Sequence, residues 1–199
     1  MLFVPTALLT LLAGSVVAGP VSLNKRDQRI IGYRRVSKAQ ADDYKNNKGV
    51  LNWDKNLASG GSQLGPGVYT APVRGTWNIG NPSDWWCVIR GDAEKIDNTG
   101  AVWIPHYFED LNPIWYEEDT IKKYIGVVEP DLDAGKVFRL GRIYNMEDNL
   151  QLLIPPGLLA QEGGDLGLTV ECKEKWEDLP DEKVDYEQFN PSGDMDPTL

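Results

Sequence analysis

Four glycines and a proline fall between Gly60 and Gly67, and the chain then passes directly into Val68-Tyr69-Thr70. No other stretch restricts the backbone so strongly. Glycine has no Cβ, so its backbone can turn tightly or lie against a ligand. Valine, tyrosine and threonine favour extended chain. The stretch therefore predicts a glycine-rich turn feeding a strand, with Tyr69 and Thr70 on a ligand-facing edge. An ordinary loop before a core strand is the other reading of the same residues.

The ends of the chain carry a different kind of information. Residues Leu2 to Val17 are almost all apolar and uncharged. That run is too short and interrupted for a membrane span of about 20 residues. With the small residues Val16-Val17-Ala18 it reads as a secretory signal peptide over residues 1–18. Lys25-Arg26 then resembles a dibasic processing site of fungal secretory proteases, which makes 19–26 a propeptide and Asp27 the mature end. Loss of residues 1–26 removes two positive charges and takes the formal charge from -10 to -12. So acidic a chain is repelled by phosphate backbones and anionic lipid, which argues against nucleic-acid and membrane-surface partners. Glu174 to Leu199 holds nine acidic residues and two lysines. Such composition disfavours full ordering. The expectation is one domain over 27–186, with Trp176, Tyr186 and Phe189 pinning the first half of the acidic segment, and an acidic tail over 187–199.

The two cysteines, Cys87 and Cys172, each sit in a strand-like run. In a secreted chain an even count favours pairing. A bridge closing so long a loop is worth about 4–5 kcal/mol on the chain-entropy model. Two cysteines and the single histidine, His106, do not suffice for a structural zinc site, and no metal is expected. Cys87 lies in an apolar run, where thiols are ordinarily inert, so a Cys–His catalytic pair is disfavoured.

Between the ends, the pattern is one of early helices and later strands. Ile30 to Val36 reads as a strand. Ser37 with Gln40 three residues on is a capping-box pattern opening a helix to about Asn46. Trp85 to Ile89 is a near-continuous apolar run and predicts a central strand. Ala101 to Ile104, Lys136 to Tyr144, Leu150 to Ile154 and Leu166 to Lys173 predict further strands. Glu117 to Ile125 predicts a helix with acids in its first turn and lysines later, as the helix dipole prefers. The fold class expected is α+β, with mixed or antiparallel sheets and helices at one end.

Three of these pieces together carry a resemblance. Gly32-Tyr33-Arg34-Arg35, a helix, and then Gly65-Pro66-Gly67-Val68-Tyr69-Thr70 resemble the first two motifs of ADP-ribosyltransferases. Asn149-Leu150-Gln151-Leu152-Leu153-Ile154-Pro155-Pro156 resembles the strand that carries that family's Glu-x-Glu motif. The secreted, dibasic-processed character further resembles fungal effector-type members. The resemblance implies a cleft between two small sheets with NAD as co-substrate. It assigns Arg34 to a phosphate or ribose, Tyr69 to stacking on nicotinamide, and Gly65 and Gly67 to close backbone approach. Thr70 and Asn149 fall beside them. Arg35 belongs on the other face of a regular strand, so only one of the two arginines is expected in the cleft.

Departures from the family pattern bear on activity. Gln151 stands where the family's catalytic glutamate falls. An amide can hold a ribose hydroxyl but supplies no charge to an oxocarbenium-like transition state, and such electrostatic loss commonly costs about 10²–10³ in rate. Glu147 shares strand parity with Gln151 and is the candidate replacement, with Asp148 reachable through a bulge. Two readings stay open. One is a secreted virulence effector that transfers ADP-ribose to a host protein or hydrolyses NAD. The other is a silent binding protein on the same scaffold. In either case a monomer is expected. A carbohydrate-binding module is a third reading, raised by seven tryptophans.

Overall fold

In the computed structural model, the structure describes residues 27–57, 61–77, 80–108 and 112–195, without the side chain of Glu147. The expected signal peptide and propeptide, and Gly60, lie outside the described residues.

The fold is α+β. Strand β1 (Gln28–Val36) is followed by helix α1 (Lys38–Asn46), β2 (Val68–Thr70), β3 (Trp85–Asp92), the short α2 (Ala93–Asp97) and β4 (Ala101–Trp103). A small hairpin, β5 (Tyr107–Phe108) and β6 (Asn112–Pro113), leads to α3 (Glu118–Val128), β7 (Phe138–Ile143), β8 (Met146–Ile154) and β9 (Thr169–Lys173). One sheet has the order β1-β3-β9 and is antiparallel throughout. The other has the order β2-β8-β7-β4, with the β4–β7 pair parallel. Reciprocal backbone bonds between Tyr33 and Ala71 join the end of β2 to β1 and so tie the two sheets at one corner.

The capping-box reading of α1 is half right. The Ser37 side chain accepts from the Gln40 backbone N–H, but the Gln40 side chain turns away and accepts from Arg34. The apolar run at Trp85 is the middle strand of its sheet, as its composition predicts. One core lies between the sheets and under α1, with Ile31, Cys87, Ile89, Phe138 and Leu152 in it. A second lies between the four-stranded sheet and α3, around Ile104, Ile121, Ile125 and Leu153. The expected disulfide is present: Cys87 and Cys172 face each other across β3 and β9 and are bonded.

The expected boundary at residue 186 moves. Residues 174–195 form a strap over the domain, with Leu179, Val184, Tyr186 and Phe189 buried. Arg74 donates to the carbonyls of Glu177 and Leu179, pairs with Asp181 at 2.8 Å and lies over the Trp176 ring. The Tyr33 hydroxyl reaches the carbonyls of Pro180 and Glu182. Ser192 then exchanges backbone bonds with Ala101 and Trp103 at the edge of β4. Charge density argued for a tail over 187–199; in the described part of it Phe189 is buried and Ser192 bonds to the edge of β4 instead. Among the described residues no helix is long and apolar enough to cross a membrane.

Candidate functional site

Where the two sheets meet, a cavity of about 360 Å³ opens. Three separate motifs contribute to it: Arg34 from β1, Tyr69 from β2 and Gln151 from β8 all line it. Gln63, Ile143, Tyr144 and Tyr116 complete one side, and Arg35, Trp77 and Asp84 another.

Arg34 is 7% exposed and forms no ion pair with a described residue. Its Nη2 donates to Gln40 Oε1 at a long 3.4 Å, while Nε and Nη1 are buried without a hydrogen-bond partner. A guanidinium is always charged, and burying it without a counter-ion is unfavourable. The cavity thus has a cationic wall inside a strongly acidic chain. Arg35 also lines the cavity, contrary to the parity expectation. Backbone alternation does hold, since Arg34 sits opposite Cys87 and Arg35 opposite Trp86. The long Arg35 side chain nevertheless lies over Trp86 and donates to the carbonyls of Trp77 and Asn81. It thereby enters the wall built by that loop. Asp84 lies 3.6 Å from Arg35 Nε and accepts from the Asn81 N–H.

Tyr69 is fixed rather than free. Its hydroxyl accepts from the Leu64 N–H at 2.8 Å and donates to the Gly65 carbonyl at 2.7 Å, and burial pushes its ionisation well above the ordinary phenol range. Gln151 is 3% exposed, and its amide N–H donates to the Arg142 carbonyl at 3.1 Å. The same carbonyl accepts from Gln63 Nε2 at 2.7 Å, so two amides on the cavity wall share one acceptor. The assignment leaves the Gln151 carbonyl oxygen as the acceptor that side chain can offer a ligand.

Other sequence-derived candidates lie elsewhere. Gly65 has φ +100, and a Cβ there would overlap the Glu118 carboxylate and the Arg139 guanidinium. Gly67, at φ +145, lies against the Ile154 carbonyl. These two glycines bring backbone close to protein, and neither lines the cavity. Thr70 is buried on the opposite face of β2 from Tyr69, with Oγ1 3.0 Å from the Tyr186 hydroxyl. Asn149 is half-buried and Asp148 exposed, and neither lines the cavity. Glu147 belongs to β8, but its side chain lies outside those described. His106 stacks on Trp115 with centroids 4.3 Å apart. The exposed large apolar residues include one tryptophan, Trp176, which Arg74 covers; among the described residues no row of exposed tryptophans offers itself to a glycan.

Sequence reasoning missed Gln63, Trp77, Asp84, Tyr116 and Tyr144. The one local signal was the placement of Gln63 inside the glycine-rich stretch. Tyr116 and Tyr144 sit in turns and Trp77 in a loop, with no periodicity. Among the described residues no cluster of three or more His, Cys, Asp or Glu could hold a metal ion.

No curated protein and no solved structure matches the chain. A family model does match residues 62–194, a span that contains Tyr69 and Gln151 but not Arg34. With that much of its length covered, the chain belongs to DUF5910, a family of unknown function.

Proposed function

We propose that this is a secreted protein with an ADP-ribosyltransferase-like cleft that binds NAD and turns it over weakly or not at all. The observation that carries the reading is the convergence of Arg34, Tyr69 and Gln151 on one cavity. These residues come from three motifs far apart in sequence, and the resemblance requires all three to meet. Arg34 brings buried, unpartnered N–H groups that a phosphate or ribose oxygen would satisfy. Tyr69 is held rigid by the loop it follows.

Silence follows from the chemistry at Gln151. Cleaving the nicotinamide–ribose bond builds positive charge on the ribose, and an amide anchored to the Arg142 carbonyl supplies no negative charge to it. The described carboxylate on the wall, Asp84, is engaged by Arg35. The cysteine bridge fits an oxidising compartment. In this reading the protein acts as an effector through a bound nucleotide or a host protein partner rather than through group transfer.

The test is binding and turnover of NAD by the purified mature chain, with Gln151→Glu and Arg34→Met beside it. Calorimetry should show binding by the wild type that Arg34→Met weakens at least tenfold, with no nicotinamide release. Steady nicotinamide release by the wild type would refute silence and direct mutation to Glu147. No NAD binding would refute the cleft assignment.

A further inference from the structure

The cavity has an aromatic part that the three converging motifs leave unused. Tyr116 and Tyr144 both line it, and both are half-exposed, at 50% and 49%. Tyr116 has φ 71, a left-handed backbone that bulky residues seldom adopt and that is unfavourable unless the surroundings impose it. Gln63 is the part of those surroundings that the two tyrosines share. The Gln63 carbonyl accepts from the Tyr116 N–H at 2.9 Å, and Gln63 Oε1 accepts from the Tyr144 N–H at 3.1 Å. The Gln63 Nε2 is in turn fixed on the Arg142 carbonyl. Gln63 therefore holds two turns, the one before α3 through its main-chain carbonyl and the one between β7 and β8 through its buried side-chain amide, so that each presents a tyrosine to the same space. Gly61 lets one of these rings close in, since a Cβ there would stand 3.3 Å from Tyr116. The Tyr144 ring is set edge-on to Trp115 and His106.

We propose that Tyr116 and Tyr144 form a stacking subsite for a planar heteroaromatic ring, with Gln63 as its positioning residue. Aromatic side chains take up base rings by stacking whatever the base, because every base has a π-face. Arg34 in the same cavity takes an anion. The ligand class is thus a nucleotide, ring and phosphate together. A cavity at the small end of the ~300–1,000 Å³ range for small-molecule sites admits one half of a dinucleotide more fully than both. This rests on the reading of the cavity as a nucleotide site.

The experiment compares NAD, AMP, nicotinamide mononucleotide and ribose 5-phosphate on the full mature chain by calorimetry and competition. The wild type should bind a mononucleotide at least tenfold tighter than ribose 5-phosphate. Tyr116→Leu and Tyr144→Leu should each weaken ring-bearing ligands about ten- to one-hundred-fold, the range that stacking supplies. Gln63→Ala removes the bond to the Tyr144 turn and keeps the main-chain bond to Tyr116, so it should weaken ring-bearing ligands by a smaller factor than Tyr144→Leu. Ribose 5-phosphate binding should stay within about twofold in all three, and Tyr116→Phe should restore the ring preference. Thermal unfolding of each variant verifies its fold. Tyrosine variants that bind mononucleotides as the wild type does, or that lose ring-bearing and ring-free ligands alike, overturn the subsite. In that case NAD binding that still depends on Arg34 leaves the proposed function standing. No binding of any of the four ligands overturns both.

Discussion

Replacing Arg139 with methionine should cost this domain several kcal/mol, and the structure says why. Arg139 lies on β7 and is 1% exposed. Its Nη1 donates to Glu118 Oε2 at 2.6 Å and to the Leu64 carbonyl at 2.8 Å; its Nη2 donates to Glu118 Oε1 and the Ala134 carbonyl, each at 3.0 Å. One guanidinium thus ties β7 to the first turn of α3, to the glycine-rich loop and to the loop before β7. Methionine fills much of the volume but leaves two carbonyls and a carboxylate without their donors. Breaking a fully buried pair costs about 3–5 kcal/mol. The Glu118 side chain is 27% exposed and can recover some water, and Lys122 remains 3.3 Å away, which moves the expectation to the lower end, about 3 kcal/mol. In a domain of this size that is a fall in Tm of roughly 6–12 °C. The assay is urea denaturation with linear extrapolation, checked by calorimetry. The double variant Arg139→Met with Glu118→Leu should recover part of the loss, because the stranded charge is gone. A single-variant cost below about 1 kcal/mol would place the pair among ordinary surface ion pairs and refute the reasoning.

Other outcomes follow from the same contacts. Arg34→Met should raise the stability of the ligand-free protein by about 1–3 kcal/mol in denaturant melts, because it removes a buried charge that has no counter-ion among the described residues, while NAD binding falls. Replacing both Cys87 and Cys172 with serine should cost about 2–5 kcal/mol, read as a lower denaturation midpoint that reductant no longer shifts. The hydrogen bond from Lys173 holds the Glu171 carboxyl below its ordinary value of 4.5, with Arg90 adding to the effect. A depressed carboxylate stabilises the fold above its unfolded pKa and loses that contribution as pH falls through the folded value. Tm measured from pH 7 downward should therefore fall less steeply below about pH 4.5 in Glu171→Gln than in the wild type.

Much of this was legible where neighbours in sequence are neighbours in space. The Ser37 cap, the central strand at Trp85 and the acid-first pattern of α3 are local and survive folding. Gly65 and Gly67 were assigned to close approach of a ligand, but what approaches them is an ion pair and a neighbouring strand. The Arg139–Glu118 pair joins a strand to a helix with no local pattern to announce it. Tyr116 and Tyr144 lie in turns whose meaning depends on Gln63, which bonds to residues far along the chain. The strap beyond residue 186 reads as a tail in sequence because charge density is a property of composition, whereas its anchoring depends on where Phe138 and Ala101 stand in the folded sheet to meet Phe189 and Ser192.

The order β1-β3-β9 carries a consequence for how the molecule comes into being. No two neighbours in that sheet are neighbours in sequence: β3 must find β1 from beyond α1 and β2, and β9 must find β3 across a separation of 85 residues at the cysteines. Each pairing closes a long loop before any contact repays the lost chain entropy, which is the circumstance that slows folding. Until β9 arrives, β3 offers an open edge with Cys87 as a free thiol on it. Refolding of the reduced chain should accordingly be slow and concentration-sensitive, its yield limited by strand edges that meet other molecules before they meet their own partner. The oxidised chain, already holding β3 to β9, should refold faster and with less loss.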